Sequence, residues 1–195
     1  EVWTSSNKQI AGEAPYEKVA AKGDGHQLMY DKLVGTGWGY SDFVFSEDGK
    51  TVLGWSDSGK KVRMDNHHLV IPDKASREAK EYITVIGKEA FAIPLAEVTI
   101  GKYDCTSPNG LQSVKFPKYL ERIEAGAFEY NNLRNHDADG NIVDTPTETT
   151  GEDHFLADQK YLTYIGGSAF HGNHLCNVEL PDTVTEVGDG AFSMN

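Results

Sequence analysis

Apolar residues recur along the second half of the chain in one short box, read four times. The copies are Ile86-Gly87-Lys88-Glu89-Ala90-Phe91, Ile123-Glu124-Ala125-Gly126-Ala127-Phe128, Ile165-Gly166-Gly167-Ser168-Ala169-Phe170 and Val187-Gly188-Asp189-Gly190-Ala191-Phe192. Each places an aliphatic residue four positions before Ala-Phe. The segments between boxes repeat too. Leu111-x-x-Val114-x-Phe116-Pro117-x-x-Leu120-x-x-Ile123 matches Leu175-x-x-Val178-x-Leu180-Pro181-x-x-Val184-x-x-Val187 at each apolar position. Asn131, Asn173 and Asn195 all stand three residues after a box Phe. The clean unit is the 22 residues from Phe170 to Phe192. A period in this range signals a stacked repeat, in which no unit buries its apolar residues alone.

Alternation in Leu-x-x-Val-x-Leu has the period of a strand, and the proline that follows stops it because it has no N–H to donate. Aliphatics at three-residue intervals then suit a tight, 3₁₀-like return. The Phe is expected to fill the layer between repeats, and the Asn to bond backbone groups at the turn. Alternation turns Glu97 and Thr99, Ser113 and Lys115, and Asn177 and Glu179 outward. These six form the candidate binding face, since stacked repeats use such faces for binding.

The motif L-x-x-V-x-L-P-x-x-V-x-x-I-G-x-x-A-F-x-x-N-x-L resembles the BspA-like class of leucine-rich repeats, over about residues 67–195. That resemblance implies an α/β repeat solenoid, a right-handed coil with one short parallel strand per repeat. It also implies an extracellular, secreted or wall-attached bacterial surface protein that binds or adheres to a host or neighbouring-cell protein. The alternative is an accessory targeting or spacer domain of a larger extracellular enzyme. The sequence departs from the pattern in places. Pro94 stands where the first Asn belongs, the Phe-to-Phe intervals are 37, 42 and 22, and the third copy shows Asp153, Leu156, Asp158 and Gln159 in place of the usual strand.

Ahead of the repeats, Phe43-Val44-Phe45 and Thr51-Val52-Leu53 flank an Asp48-Gly49 turn, which predicts a hairpin. Ser56-Asp57-Ser58-Gly59 suits the start of a short helix. We therefore read residues 37–66 as a cap over the first repeat, and Trp38 and Trp55 as its packing residues rather than sugar platforms. Residues 1–36 form an N-terminal segment, read either as two short helices, Tyr16–Lys22 and Gln27–Leu33, or as the tail of a preceding domain, and hold the third tryptophan, Trp3. Residues 67–195 form the repeat array, with insertions at about 101–110 and 134–153. The chain closes at Asn195 in mid-motif, so we expect a fragment with a further strand following it.

Composition narrows the partners. Thirty acidic against 18 basic residues give a net charge of −12, which disfavours nucleic acid and anionic membranes. No apolar run approaches the roughly 18 residues of a membrane span. Cys105 and Cys176 stand in different repeats and read as free thiols, with a disulfide the lesser reading.

Site chemistry is sparse. Asn135, Asp137, Asp139 and Asn141, with Gly140 and Ile142, imitate the first two thirds of a calcium loop. Pro146, however, holds the place of the bidentate Glu, and a hairpin turned at Asp139-Gly140 is the leading reading. Beyond that loop no cofactor is expected. Neither His67-His68 nor His171-x-x-His174 matches a zinc-enzyme spacing, and there is no nucleophile elbow or phosphate loop. Carbohydrate is a conceivable partner that no motif supports. The sequence points to a surface and to no enzyme.

Overall fold

The computed structural model describes residues 36–101, 105–136, 142–143 and 156–195. Both candidate N-terminal helices and Trp3 lie outside the described residues. In chain order the elements are β1 (Phe43–Phe45), β2 (Thr51–Trp55), α1 (Asp57–Arg63), β3 (His68–Val70), β4 (Val85–Ile86), β5 (Thr99–Ile100), β6 (Cys105–Thr106), β7 (Ser113–Lys115), β8 (Arg122–Ile123), β9 (Asn135–His136), β10 (Ile142–Val143), β11 (Tyr164–Ile165) and β12 (Glu186–Val187).

The lead-in follows its sequence signals. β1 and β2 pair antiparallel with a bulge at Val44/Phe45, and Gly49 takes φ 70° in the turn. Asp48 ties that turn: it accepts from the Ser46 hydroxyl and the Lys50 amide, which hold its carboxyl below its ordinary value. Ser56 caps α1 by accepting from Gly59 N–H at 3.1 Å. Trp38 and Trp55 stack with ring centroids 5.0 Å apart, and Trp55 meets Phe91 edge-on at 4.6 Å. The hairpin thus packs against the first box ring.

From there the rings continue unbroken. Phe91, Phe128, Phe170 and Phe192 stack at centroid distances of 5.4, 5.4 and 5.3 Å, the last two pairs within 2° and 8° of parallel. Beside them run columns of buried Ile86, Ile123 and Ile165, of Ile83, Leu120 and Leu162, and of Ala90, Ala127, Ala169 and Ala191. Burying such side chains removes their surface from water at about 25 cal/mol per Å² and drives the stacking.

Two expectations need correction. The larger parallel ladder runs through the box and not through the Leu-x-x-Val-x-Leu segment: β2, β4, β8, β11 and β12 lie parallel in that order, with β1 added antiparallel. The reason lies in the spacing. The turn after Pro117 closes in one i→i+3 bond, Leu120 N–H to Pro117 O, which brings Arg122-Ile123 into line beside Val85-Ile86. Among the described residues, the Leu-x-x-Val-x-Leu segments pair parallel only as β3 with β7, and as a bridge from Arg134 to His174. The helix content also differs, since among the described residues the only α-helix is α1 in the lead-in. The repeats are strand and turn.

The box has a backbone requirement of its own. Its fourth position adopts the left-handed region in every copy: Glu89 at φ 53°, Gly126 at 64°, Ser168 at 55° and Gly190 at 64°. Glycine enters that region without penalty, and L side chains do not. The position two beyond each later Phe does the same, at Tyr130, Gly172 and Met194.

Candidate functional site

Asparagine residues fix how one repeat sits on the next. Asn131 Oδ1 accepts from Leu111 N–H at 2.9 Å, and its Nδ2 donates to Phe91 O of the preceding repeat at 2.9 Å. Asn173 repeats both contacts on Leu133 N–H and Phe128 O, each at 3.0 Å. Asn195 takes Leu175 N–H and Phe170 O. Asn131 and Asn173 are fully buried, so each satisfies backbone groups that water does not reach. These residues build the scaffold, and what they hold outward is the candidate surface.

Of the six predicted face residues, four lie where alternation places them. Ser113 and Lys115 occupy β7, opposite His68 and Val70 of β3, and His68 Nδ1 meets Ser113 Oγ at 2.8 Å. Val114 and Phe116 pack inward between them. Asn177 and Glu179 are exposed in the last repeat. Glu97 and Thr99 are the exception. Leu95-x-x-Val98-x-Ile100 imitates a repeat strand, yet Leu95 is 63% and Ile100 73% exposed. That segment is a 3₁₀ turn leading into β5, which pairs antiparallel with β6 in an insertion between Phe91 and Leu111. Glu97 is bound there to the buried Arg63, Nη2 to Oε2 at 3.0 Å, and Arg63 also donates to Asn109 O.

The third repeat interrupts the row. Its strand opens in register, with Leu133 buried and Arg134 N–H donating to Gln112 O. At Asn135, the equivalent of Ser113 and Asn177, the side chain turns inward and is 2% exposed. Its Oδ1 accepts from Cys176 and Asn177 N–H at 2.7 and 3.2 Å, and its Nδ2 donates to Asn177 O at 2.6 Å. β9 pairs antiparallel with β10, and Leu156 is fully buried. Asn135 is the first residue of the candidate calcium loop, and its amide is bonded to the next repeat. Asp137, Asp139 and Asn141 lie outside the described residues.

A second row escaped the sequence reading. Tyr82, Tyr119 and Tyr161 stand at one register on three consecutive repeats, directly before Ile83, Leu120 and Leu162. Their centroids are 4.4 and 5.3 Å apart, with Tyr82 36% and Tyr161 49% exposed. Lys74 Nζ lies 4.4 Å from the Tyr82 centroid and Lys118 Nζ 5.2 Å from that of Tyr119. Nearby, Arg122 of β8 sits over Tyr164 of β11 at 3.9 Å and pairs with Glu124 at 2.8 Å. The signal was legible as a Tyr four residues before the box aliphatic in three of four copies.

Comparison with known proteins matches the repeat sequence to a family. A family model, the BspA type leucine rich repeat region, matches residues 89–195 in six copies. The chain belongs to the BspA-type leucine-rich-repeat family. The BspA-type match takes in three of the four boxes whole and covers more than half of the chain. No curated protein matches the sequence. Among solved structures, the crystal structure of a leucine-rich repeat protein from Bacteroides ovatus is similar at 20% identity, with a TM-score of 0.36 over 77% of this chain. This BspA-type chain spans 36% of that protein's length. Among the described residues no helix is long and apolar enough to cross a membrane.

Proposed function

We propose that the chain is a protein-binding, adhesion-type module of a secreted or wall-attached bacterial surface protein, acting outside the cell and carrying no chemistry of its own. We read the stack as a right-handed solenoid, with the row of Ser113, Lys115, Asn177 and Glu179 and the inserted loops forming the face that meets a host or neighbouring-cell protein. One observation carries this reading. The box Phe and the Ala before it recur in all four repeats, and the Asn after it in three, as Asn131, Asn173 and Asn195. The outward positions differ freely, Ser113 against Asn177 and Lys115 against Glu179. A constant scaffold presenting a varied surface is how repeat proteins recognise other proteins.

Beads coated with the protein should adhere to immobilised extracellular-matrix proteins or to cells. Reversing charge at Lys115→Glu with Glu179→Lys should weaken adhesion several-fold, as loss of rim and core contacts does. Adhesion no better than that of an unrelated protein of equal acidity would sink the reading. Protease treatment of intact producing cells tests the location separately, because release only after lysis contradicts an extracellular role.

A further inference from the structure

One strand slot in the second repeat has two segments that fit it. Leu95-Ala96-Glu97-Val98-Thr99-Ile100 and Leu111-Gln112-Ser113-Val114-Lys115-Phe116 carry the same apolar spacing. Each apolar residue of the first stands sixteen residues before its counterpart in the second (95 to 111, 98 to 114, 100 to 116), so the register is the same throughout. The second segment holds the slot: Leu111 and Phe116 are buried, and Ser113–Lys115 pairs with His68–Val70 as β7 on β3. The first is left outside it. Leu95 and Ile100 are the two most exposed large apolar side chains among the described residues.

Packing favours the present occupant, since Phe116 meets the Phe128 ring edge-on at 5.8 Å and Ile100 has no ring to offer. A charge then fixes the choice. The guanidinium of Arg63 is buried; its Nη2 binds Glu97 Oε2 at 3.0 Å and its Nη1 donates to Asn109 O at 3.1 Å. One side chain of α1 therefore holds the middle of the outer segment and the approach to the inner one. Moving Glu97 into the slot would leave a buried guanidinium without its carboxylate, which is costly.

We infer that Leu95–Ile100 is an alternate strand for the slot held by Leu111–Phe116, and that the Arg63–Glu97 ion pair is the lock that keeps it out. Position by position, exchange brings Glu97 to the place of Ser113 and Thr99 to that of Lys115. The strand face then loses a lysine and gains a carboxylate, a consequence that rests on the reading of that face as the binding surface. Two packings of one sequence separated by a small free-energy gap let a single chain present two surfaces.

Disulfide trapping tests the exchange in the whole chain, with Cys105→Ser and Cys176→Ser removing the native thiols. His68 lies beside Ser113 across the β3–β7 pair, so His68→Cys with Ser113→Cys should close a disulfide in the resident arrangement. His68→Cys with Glu97→Cys removes the lock and should close one as well, which requires position 97 to reach the slot. Phe116→Ser should raise that second cross-link several-fold, and Val98→Ser should lower it several-fold, because each puts a hydroxyl where an apolar side chain packs. No link between positions 68 and 97 in a cooperatively melting chain, or a link indifferent to both substitutions, overturns the inference. Glu97→Gln is the milder probe where a cysteine variant fails to fold. Hydrogen exchange should then show protection rising at Val98–Ile100 and falling at Ser113–Lys115, with the Phe128 and Phe170 boxes unchanged. Unchanged protection in both segments, or loosening at Leu95–Ile100 alone, overturns it too. These readouts follow the strands and not adhesion, so they stand or fall apart from the bead assay.

Discussion

Across the four repeats the box segment keeps one length and one set of backbone partners, whereas the strand-and-proline segment is stretched, diverted or left bare. The hydrogen bonds explain the contrast. Through the box, N–H groups alternate between neighbours: Gly166 N–H donates back to Ile123 O, while Phe128 N–H donates forward to Ala169 O and Tyr130 N–H to His171 O. An inserted residue there would break bonds on both sides and move a Phe out of its column. The other segment carries less. The insertions between Phe91 and Leu111 and after Asn135 are both flanked by buried residues, Ile93 and Leu111 in one case, Leu133 and Leu156 in the other. A repeat therefore varies where its backbone is least shared with neighbours.

The sharpest way to break this contrast is to remove a ring from the column. Phe128→Ala, fully buried between Phe91 and Phe170, should cost about 3–5 kcal/mol and is read as a shift of the denaturant midpoint. A midpoint unmoved would mean that the column carries no stability. Asn173→Ala should cost somewhat less, about 2–3 kcal/mol, because it strands the buried Leu133 N–H and the Phe128 carbonyl. If Asn135→Ala proved the more damaging of the two, the ranking of box above strand segment would be reversed.

A smaller effect of opposite sign is expected at Glu89. Its left-handed backbone favours glycine, so Glu89→Gly should raise stability by about 0.5–1 kcal/mol. Gly126→Glu should do the reverse. The same substitution acts on Glu129, whose carboxyl is held above its ordinary value first by burial and further by the nearby Glu89 charge, with His171 opposing. A raised carboxyl contributes stability that is full below the ordinary value of 4.5 and is lost as pH rises through the raised value. Without Glu89 that loss should be complete at a lower pH and be smaller, which a pH series of thermal melts resolves. The smallest change is expected from excising residues 137–153 across a short Gly-Ser link. Loop closure depends weakly on length, so stability should move by less than about 1 kcal/mol. Loss of cooperative unfolding would place the insert among the structural parts of the repeat.

Much of this was legible in the residues because the repeat shows itself. Four boxes located the Phe column, the fixed Asn located the ties between repeats, and the Asp48-Gly49 turn located the hairpin beside the first ring. The misreadings have physical causes. Leu95-x-x-Val98-x-Ile100 carries the strand pattern without the neighbours that would bury it, and pattern alone does not report what lies alongside. Aliphatics three apart look like a turn, and only the pairing partner converts Arg122-Ile123 into a strand. Of the candidate surface, the sequence yielded Ser113, Lys115, Asn177 and Glu179 through alternation. It did not yield the tyrosine row, because those residues precede core positions in a turn, where no period assigns a direction.

The unequal spacing of the boxes bears on how the chain finds its own order. Each box offers much the same ring, the same small neighbour and the same carbonyls, so by local chemistry Phe170 would dock on Phe91 as readily as on Phe128. Repeat arrays misassemble through this kind of degeneracy. Intervals of 37, 42 and 22 residues, and private ties such as Asn135 to Asn177, give each unit its own address. We predict that four identical 22-residue units would be harder to assemble correctly, however well each interface packed. Refolding such a variant from denaturant should show a slow, concentration-independent phase that the natural chain lacks, and single-phase refolding of both would refute the idea. The irregularities that blur the motif would then be what keeps the repeats from trading places.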